Sequence, residues 1–406
     1  MTDRAAEIKG ITDKCINCGF CEAVCPTLEA ASFKAAIGAR GRVMIAKEML
    51  SELKRVDFDT SDFLDPFYSC LNCNACLTVC PAGINAGEIS RLSRQELVYR
   101  KAAGKSVADM IVRLTVKYGS PLGLSKRMNK WFDGMKFYDD SEILFYTGQM
   151  YLLTAYSKSF SGLELKMGER LTNAGASIIA RFPFLIKLLS LIFKGKDVDD
   201  YMKSVRNIYD LLSKAGIRMN HIENEPYPGT FILDLGYEEQ FRRYAENFTK
   251  IIREKKIKKI VTTDPHTYDL LKFSYPKYVK DFDAEVSFYT DYLADLKFRK
   301  LDENLIMHEP CHLIRGEDRY NVASKILENV SNVTYPTHSG QSTACCGGPD
   351  ELLFPNLSER ISEKRYEELR SAGKGNIVTA CPICLSNLNK NKDAKDLSDI
   401  LKRAMN

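Results

Sequence analysis

Two eleven-residue runs of this chain repeat one cysteine spacing, and that repeat constrains the fold more than any other feature. The first reads Cys15-Ile-Asn-Cys18-Gly-Phe-Cys21-Glu-Ala-Val-Cys25, followed by Pro26. The second reads Cys70-Leu-Asn-Cys73-Asn-Ala-Cys76-Leu-Thr-Val-Cys80, followed by Pro81. In a C-x2-C-x2-C-x3-C-P run, three thiolates of a tight loop converge on one iron–sulfur cube, and the fourth opens a departing helix and reaches the other cube. One 4Fe–4S cluster is therefore expected on Cys15, Cys18, Cys21 and Cys80, and a second on Cys70, Cys73, Cys76 and Cys25. Zinc sites draw their ligands in two pairs, and neither run has that form. Two such clusters pass single electrons and cannot themselves accept a hydride.

The chain has thirteen cysteines in 406 residues. Met1 to Lys14 carries Asp3, Arg4, Glu7 and Lys9 without an apolar stretch, so a secretory signal is not expected there. Without export, clustered cysteines hold metal more often than disulfides, because the cytosol keeps thiols reduced. The expected location is cytoplasmic, peripheral at the inner face of the cytoplasmic membrane. A net charge of +5 over this length, with no nucleic-acid motif, argues against a nucleic-acid partner.

Between the runs lie 44 residues, with a helix-compatible stretch around residues 42–53. This long spacer resembles the α-helical ferredoxin domain found in the iron–sulfur proteins of succinate dehydrogenase and heterodisulfide reductase. The other five cysteines form one constellation: Cys311, the pair Cys345-Cys346 before Gly347, and Cys381-Pro-Ile-Cys384. Apolar runs at 305–307, 333–335 and 377–379 read as strands ending near them, separated by helical stretches such as 357–372. Open α/β sheets place their sites at such strand ends. On the residues alone, the five are compatible with a five-thiolate centre, four cluster ligands plus a spare, or a zinc site beside a reactive thiol.

His308-Glu-Pro-Cys311-His312-Leu313, Ala344-Cys345-Cys346-Gly347-Gly348 and Val378-Thr-Ala-Cys381-Pro-Ile-Cys384 resemble the cysteine-rich CCG domain of the heterodisulfide reductases, where it occurs in their B-type and D-type chains. The same domain occurs in the iron–sulfur proteins of glycolate oxidase and of anaerobic glycerol-3-phosphate dehydrogenase. The resemblance implies one further iron–sulfur centre on Cys311, Cys345, Cys346, Cys381 and Cys384, a non-cubane 4Fe–4S centre in the heterodisulfide reductases. His308 and His312 flank Cys311, either tuning that centre through hydrogen bonds or capping and packing locally. His221 and His338 belong to no constellation.

That family holds two CCG copies, and a second frame is visible upstream. Ile260-Val-Thr-Thr-Asp264-Pro-His-Thr267 aligns with Ile377 to Cys384, Glu225 to Gly229 with Thr343 to Gly347, and Phe145 to Gln149 with Met307 to Cys311. Pro228 and Asp264 are 36 residues apart, and Cys346 and Cys381 are 35. Gln149, Tyr227, Pro228, Asp264 and Thr267 stand at the five thiolate positions, so this copy is not expected to hold a cluster. Asp264 and His266 remain either as ligand contacts or as relics on a scaffold.

The expected fold is thus α+β and multidomain: an N-terminal α-helical two-cluster ferredoxin domain followed by two pseudo-repeated α/β CCG-type halves. The expected divisions are 1–103 for the ferredoxin part, 104–140 for a helical linker, 141–300 for the degenerate half and 301–406 for the intact one. The degenerate half carries an insertion at about 152–200. Within it, Pro183 to Lys194 would make a helix about 18 Å long, too short to span a bilayer. Phe184, Leu185, Ile186, Leu188, Leu189, Ile192 and Phe193 surround a stripe of Lys187, Ser190 and Lys194, and residues 170–196 hold five basic residues and no acid. The pattern suits either an interfacial membrane helix, contacting lipid through Phe184, Leu185, Lys187, Leu188, Leu189, Ile192, Phe193 and Lys194, or a buried interface. Residues 126–132, basic and aromatic with the sole Trp131, read as a solvated linker in preference to a second membrane-contacting stretch.

No G-x-G-x-x-G follows a strand, so no flavin or nicotinamide site is read in this chain. The resembled families pair with FAD-containing dehydrogenase subunits. The resemblance therefore implies an electron-transfer subunit delivering electrons from a partner's FAD to quinone at a membrane surface. Glycerol 3-phosphate ranks first as the partner's substrate, and glycolate, lactate and other 2-hydroxy acids follow. The alternatives are a heterodisulfide-type thiol–disulfide reductase, disfavoured by the degenerate copy, and a soluble carrier without a fixed partner.

Overall fold

A computed structural model of the chain describes residues 3–52, 60–101, 106–157, 168–186, 195, 197–315 and 321–405. Four helices frame the N-terminal part: Asp3–Thr12, Ala39–Glu52, Ser61–Tyr68 and Ala86–Tyr99. Ile8, Val43, Ala46, Met49, Phe67 and Ile89 fill their shared core, against which the cysteine runs pack. The spacer helix expected around 42–53 is therefore real, and residue 53 lies outside the described residues. Cys25 does open a departing helix, Pro26–Ala30, with Pro26 in its first turn. Cys80 does not: Gly83 takes φ +65°, and the next helix waits for Asn85, whose side chain caps it by accepting from the Gly87 and Glu88 amides.

Among the described residues seven short strands follow. β1 (Ile143–Tyr146), β2 (Lys259–Thr262) and β3 (Glu285–Phe288) form one parallel sheet in that order. β4 (Asn304–Met307), β5 (Asn332–Thr334), β6 (Asn376–Thr379) and β7 (Ala394–Asp396) form a second parallel sheet in the order β5-β4-β6-β7. The two match element by element. On the free side of β1, Leu144 bridges Asn220 in parallel, which gives the first sheet a vestige of β5. Glu238–Glu254 leads into β2 as Pro355–Ala372 leads into β6. Asp264 begins helix Pro265–Asp269 after β2, as Cys381 begins helix Pro382–Leu388 after β6. Gly229 and Gly347, aligned in sequence, both adopt the left-handed backbone, at φ +100° and +82°.

Helices Ser106–Tyr118 and Ser125–Trp131 bury Ile111, Leu114, Met128 and Trp131 in the core shared by both sheets. Residues 126–132 are therefore not a solvated linker: Trp131 is only 3% exposed. Their apolar side chains recur at helical spacing and make one buried face.

The insertion contributes helix Glu169–Arg181, which packs Ala176, Ile179 and Ala180 inward beside Ser106–Tyr118. Leu171, Ile178, Phe182 and Phe184 stay exposed, Leu185 is half-buried, and Ile186 is buried against Gly123. Lys187, Leu188, Leu189, Ile192, Phe193 and Lys194 lie outside the described residues. Among the described residues no helix is long and apolar enough to cross a membrane.

Candidate metal centres

Each tight cysteine loop needs left-handed residues on both sides of its middle cysteine so that successive thiols turn to one side. Asn17 and Gly19 (φ +61° and +82°) flank Cys18, and Asn72 and Asn74 (+50° and +59°) flank Cys73. Asparagine and glycine tolerate that conformation, so the repeat extends to the backbone. Cys15, Cys18, Cys21 and Cys80 line a single cavity of about 20 Å³. The Ile84 amide donates to Cys80 Sγ at 3.2 Å. Burial pushes the Cys21 thiol up to about 11, and the neighbouring Glu22, Cys15 and Cys80 add to that. Cys18 is exposed, beside the exposed Ile16 and Phe20.

Cys70, Cys73 and Cys76 lie together further inside, and Arg42 lies close to both Cys70 and the buried Cys25. Burial, then Cys70 and Cys73, push the Cys76 thiol up to about 12. Arg42, fully buried, stands beside this group: its guanidinium donates to the Pro66 carbonyl (2.6 Å), Thr27 Oγ1 (2.9 Å), Ser69 Oγ (3.0 Å) and Cys25 Sγ (3.6 Å). Arg94, also buried, donates to the carbonyls of Phe67 (2.6 Å) and Cys70 (2.7 Å), and across the domain junction to that of Asp234 (2.6 Å). A buried cation is costly unless it is paired and hydrogen-bonded. Two guanidiniums beside four thiols fit a site that carries negative charge when filled.

The remaining five cysteines are all buried and in mutual contact. Cys345 meets Cys311 and Cys346, Cys346 meets Cys384, and Cys384 meets Cys381. Gly347 turns the chain there and donates its amide to Cys345 Sγ at 3.4 Å. His308 reaches Cys346 while its Nδ1 accepts from Arg365 Nε at 3.2 Å, and His308, Cys346 and Cys384 place ligand atoms within 4.8 Å of one another. Hydrogen bonds from Cys345 and Cys384 push the Cys346 thiol well down. His312 bonds Asp269 through Nδ1 at 3.2 Å and packs on His266 at 4.2 Å between ring centroids. Burial alone would lower its pKa, but the Asp269 bond and the Cys311 neighbour raise it to about 10. A five-thiol set buried in contact suits a soft, thiolate-bound iron–sulfur group.

Cys73 also touches Cys345, and this contact holds the Cys73 thiol down at about 5. The inner ferredoxin loop and the CCG cysteines are therefore adjacent. Arg315 clamps them, donating to the Cys73 carbonyl at 2.6 Å and to the Thr343 carbonyl. Nothing in the spacing announced Arg42, Arg94, Arg315 or Arg365.

In the first half, Gln149, Tyr227, Asp264 and Thr267 are buried where the second half has Cys311, Cys345, Cys381 and Cys384. His221 stacks on Phe137, and His338 bonds Glu368 on the surface.

Comparison with known proteins agrees with this anatomy. Residues 11–84 match the family model of a 4Fe-4S dicluster domain, and residues 305–389 that of a cysteine-rich domain, CCG. The chain is 24% identical over 411 residues to the D-type chain of the dihydromethanophenazine:CoB–CoM heterodisulfide reductase of Methanosarcina barkeri, covering 94% of this chain and 89% of that protein. It is 31% identical over 204 residues to the probable iron-sulfur-binding oxidoreductase FadF of Bacillus subtilis, covering 47% of this chain and 29% of that one. It is 22% identical over 422 residues to the EtfAB:quinone oxidoreductase of Syntrophomonas wolfei, covering 92% and 54%. The last two are much longer, and the chain spans less than two thirds of either. The chain thus joins a 4Fe-4S dicluster domain to a CCG domain, and in this it is similar to the CCG-domain iron–sulfur oxidoreductases.

Proposed function

We propose that the chain is the electron-transfer subunit of a membrane-associated, FAD-dependent dehydrogenase, with the flavin on a partner subunit and quinone as the final acceptor. The contact between Cys73 and Cys345 carries this reading, because it joins the ferredoxin and CCG parts into one path. On this reading Cys15, Cys18, Cys21 and Cys80 hold one 4Fe–4S cluster, and Cys25, Cys70, Cys73 and Cys76 hold the second. Cys311, Cys345, Cys346, Cys381 and Cys384 hold a third centre. Such groups supply one-electron carriage when bound.

The chain's own residues set the conditions for that carriage. Arg42 and Arg94 bring positive charge to the inner loop, burial keeps water from the CCG cysteines, and Cys18 marks the end open to a partner. The proposed units are 1–103, 104–140, 141–300 and 301–406. The name EtfAB:quinone oxidoreductase, borne by a relative, supports a flavoprotein-to-quinone role. Exposed Val116, Leu171, Ile178, Phe182 and Phe184, with Lys117, Arg170 and Arg181 around them, support lipid contact at the inner face of the cytoplasmic membrane. Glycerol 3-phosphate remains the first substrate to test.

A second reading rests on the near full-length likeness to a heterodisulfide reductase chain: thiol–disulfide reduction at the CCG centre. Against it stand the five thiolate positions lost from the first half.

Anaerobic co-purification from native membranes, followed by EPR before and after glycerol 3-phosphate, tests the proposal. A co-purified flavoprotein and newly reduced 4Fe–4S signals are expected. Clusters that stay oxidised with this substrate and with 2-hydroxy acids, or the absence of any flavoprotein, would overturn it. Reoxidation by an organic disulfide instead of a quinone would favour the second reading.

A further inference from the structure

The first half has not simply lost its thiolates; oxygen atoms have taken their places. Gln149 aligns with Cys311, Asp264 with Cys381 and Thr267 with Cys384, and all three are fully buried. The loop before helix 150–157 lies hard against the helix after β2: a Cβ on Gly148 would fall 2.1 Å from Thr267 Oγ1. Gln149 itself is held at φ +59°, a conformation costly for a side-chain-bearing residue outside functional or over-determined sites. Glu225, also fully buried, joins the same loop. Its carboxylate accepts from Thr147 Oγ1 (2.6 Å), Thr147 N (3.1 Å) and Gln149 N (3.3 Å).

Two observations point to a ligand. Asp264 Oδ2, Gln149 Oε1 and Thr263 Oγ1 are buried with no hydrogen-bond partner in the protein, although Asp264 Oδ1 accepts the Thr267 amide at 2.9 Å. No lysine or arginine pairs with Glu225 or Asp264 among the described residues; Glu225 feels the charge of Asp264, and His312 lends Asp264 some positive charge without bonding it. Buried carboxylates without a cationic side chain are neutralised by a proton or by a metal ion. Hard oxygen donors suit calcium and magnesium, just as thiolates suit iron–sulfur groups.

We infer that the vacated half binds one hard divalent cation, through Asp264 Oδ2 and Gln149 Oε1, with Glu225 offsetting its charge beside them. The pseudo-repeat then carries two kinds of metal at equivalent positions: soft in the second half and hard in the first. Buried Tyr227 and Pro228 stand at the positions that the Cys345-Cys346 pair occupies in the other half. The Tyr227 hydroxyl is turned away, accepting the Phe231 amide at 3.3 Å.

The test uses anaerobically purified holoprotein, stripped with a mild chelator and dialysed at pH 8 against calcium chloride or magnesium chloride. Uptake of one equivalent of one of these ions per chain, with a rise of several degrees in Tm, is expected. Asp264→Asn should abolish that uptake and leave the iron content unchanged, which separates loss of the site from loss of the fold. Gln149→Leu removes one donor without touching charge and should weaken uptake at least tenfold; it decides the matter if Asp264→Asn does not fold. No stoichiometric uptake of either ion by the wild type would overturn the inference. So would equal uptake by the wild type and a folded variant.

Discussion

At the residue scale, Arg42 is the side chain whose removal should be most visible spectroscopically. It holds a positive charge beside Cys25 and Cys70, and four of its contacts fix it there. Cluster potentials follow local charge and hydrogen bonding to sulfur. Arg42→Gln should therefore lower the potential of the inner ferredoxin centre by on the order of 100 mV, judged from one unit charge a few ångströms away at an effective dielectric near 20. An EPR redox titration would read the shift, and an unchanged potential would show that Arg42 only packs. The thirteen ligand candidates were legible because cysteine spacing is itself the chemistry. The guanidiniums were not, because a buried arginine leaves no pattern until the chain segments it joins are brought together. The His308–Arg365 contact was equally invisible, since 57 residues separate the two partners.

At the scale of elements, the turn at Gly347 aims Cys345 and Cys346. Any Cβ there would fall 2.7 Å from the Ser358 carbonyl, and the residue sits at φ +82°. Gly347→Ala should cost about 1–3 kcal/mol and reduce the iron bound at the CCG cysteines. Iron analysis after anaerobic reconstitution would show it, and full loading at wild-type stability would refute the need for glycine. Serine substitutions of Cys345 and Cys346 distinguish the ligand sets left open by the sequence: loss of iron in only one variant would exclude five-fold ligation. The strands and the repeat were readable because short apolar runs ended at aligned residues. The helix after Cys80 was misread because Gly83 and Asn85, rather than Pro81, decide where it starts. The burial of Trp131 was missed because a short basic helix shows its buried face only once its partners are in place. The apolar face of Glu169–Arg181 and the adjoining Phe182 and Phe184 make a further prediction. A Phe182→Ser/Phe184→Ser double variant should float less with anionic vesicles than the wild type, with iron content unchanged. Equal flotation would assign that face to a protein partner.

At the scale of the whole molecule, three groups of cysteines run from the exposed Cys18 to the buried Cys381. Arg94 and Asn72 tie the ferredoxin part to Asp234 of the first α/β half, and Arg315 of the second half ties it through the Cys73 carbonyl. Arg94→Ala should loosen this junction and slow electron passage between the inner ferredoxin loop and the CCG cysteines. Freeze-quench EPR would measure that rate, and the wild-type rate in the variant would show that the junction does not depend on Arg94. On the proposed function, the three groups of cysteines hold three iron–sulfur centres in one contiguous path. Counting iron in the anaerobic holoprotein, with EPR of its fully reduced state, tests it most directly. About twelve iron atoms per chain are expected, four for each 4Fe–4S centre, with signals broadened by coupling between the inner ferredoxin centre and the CCG centre. A content of about eight iron atoms, or three signals with no mutual broadening, would contradict it.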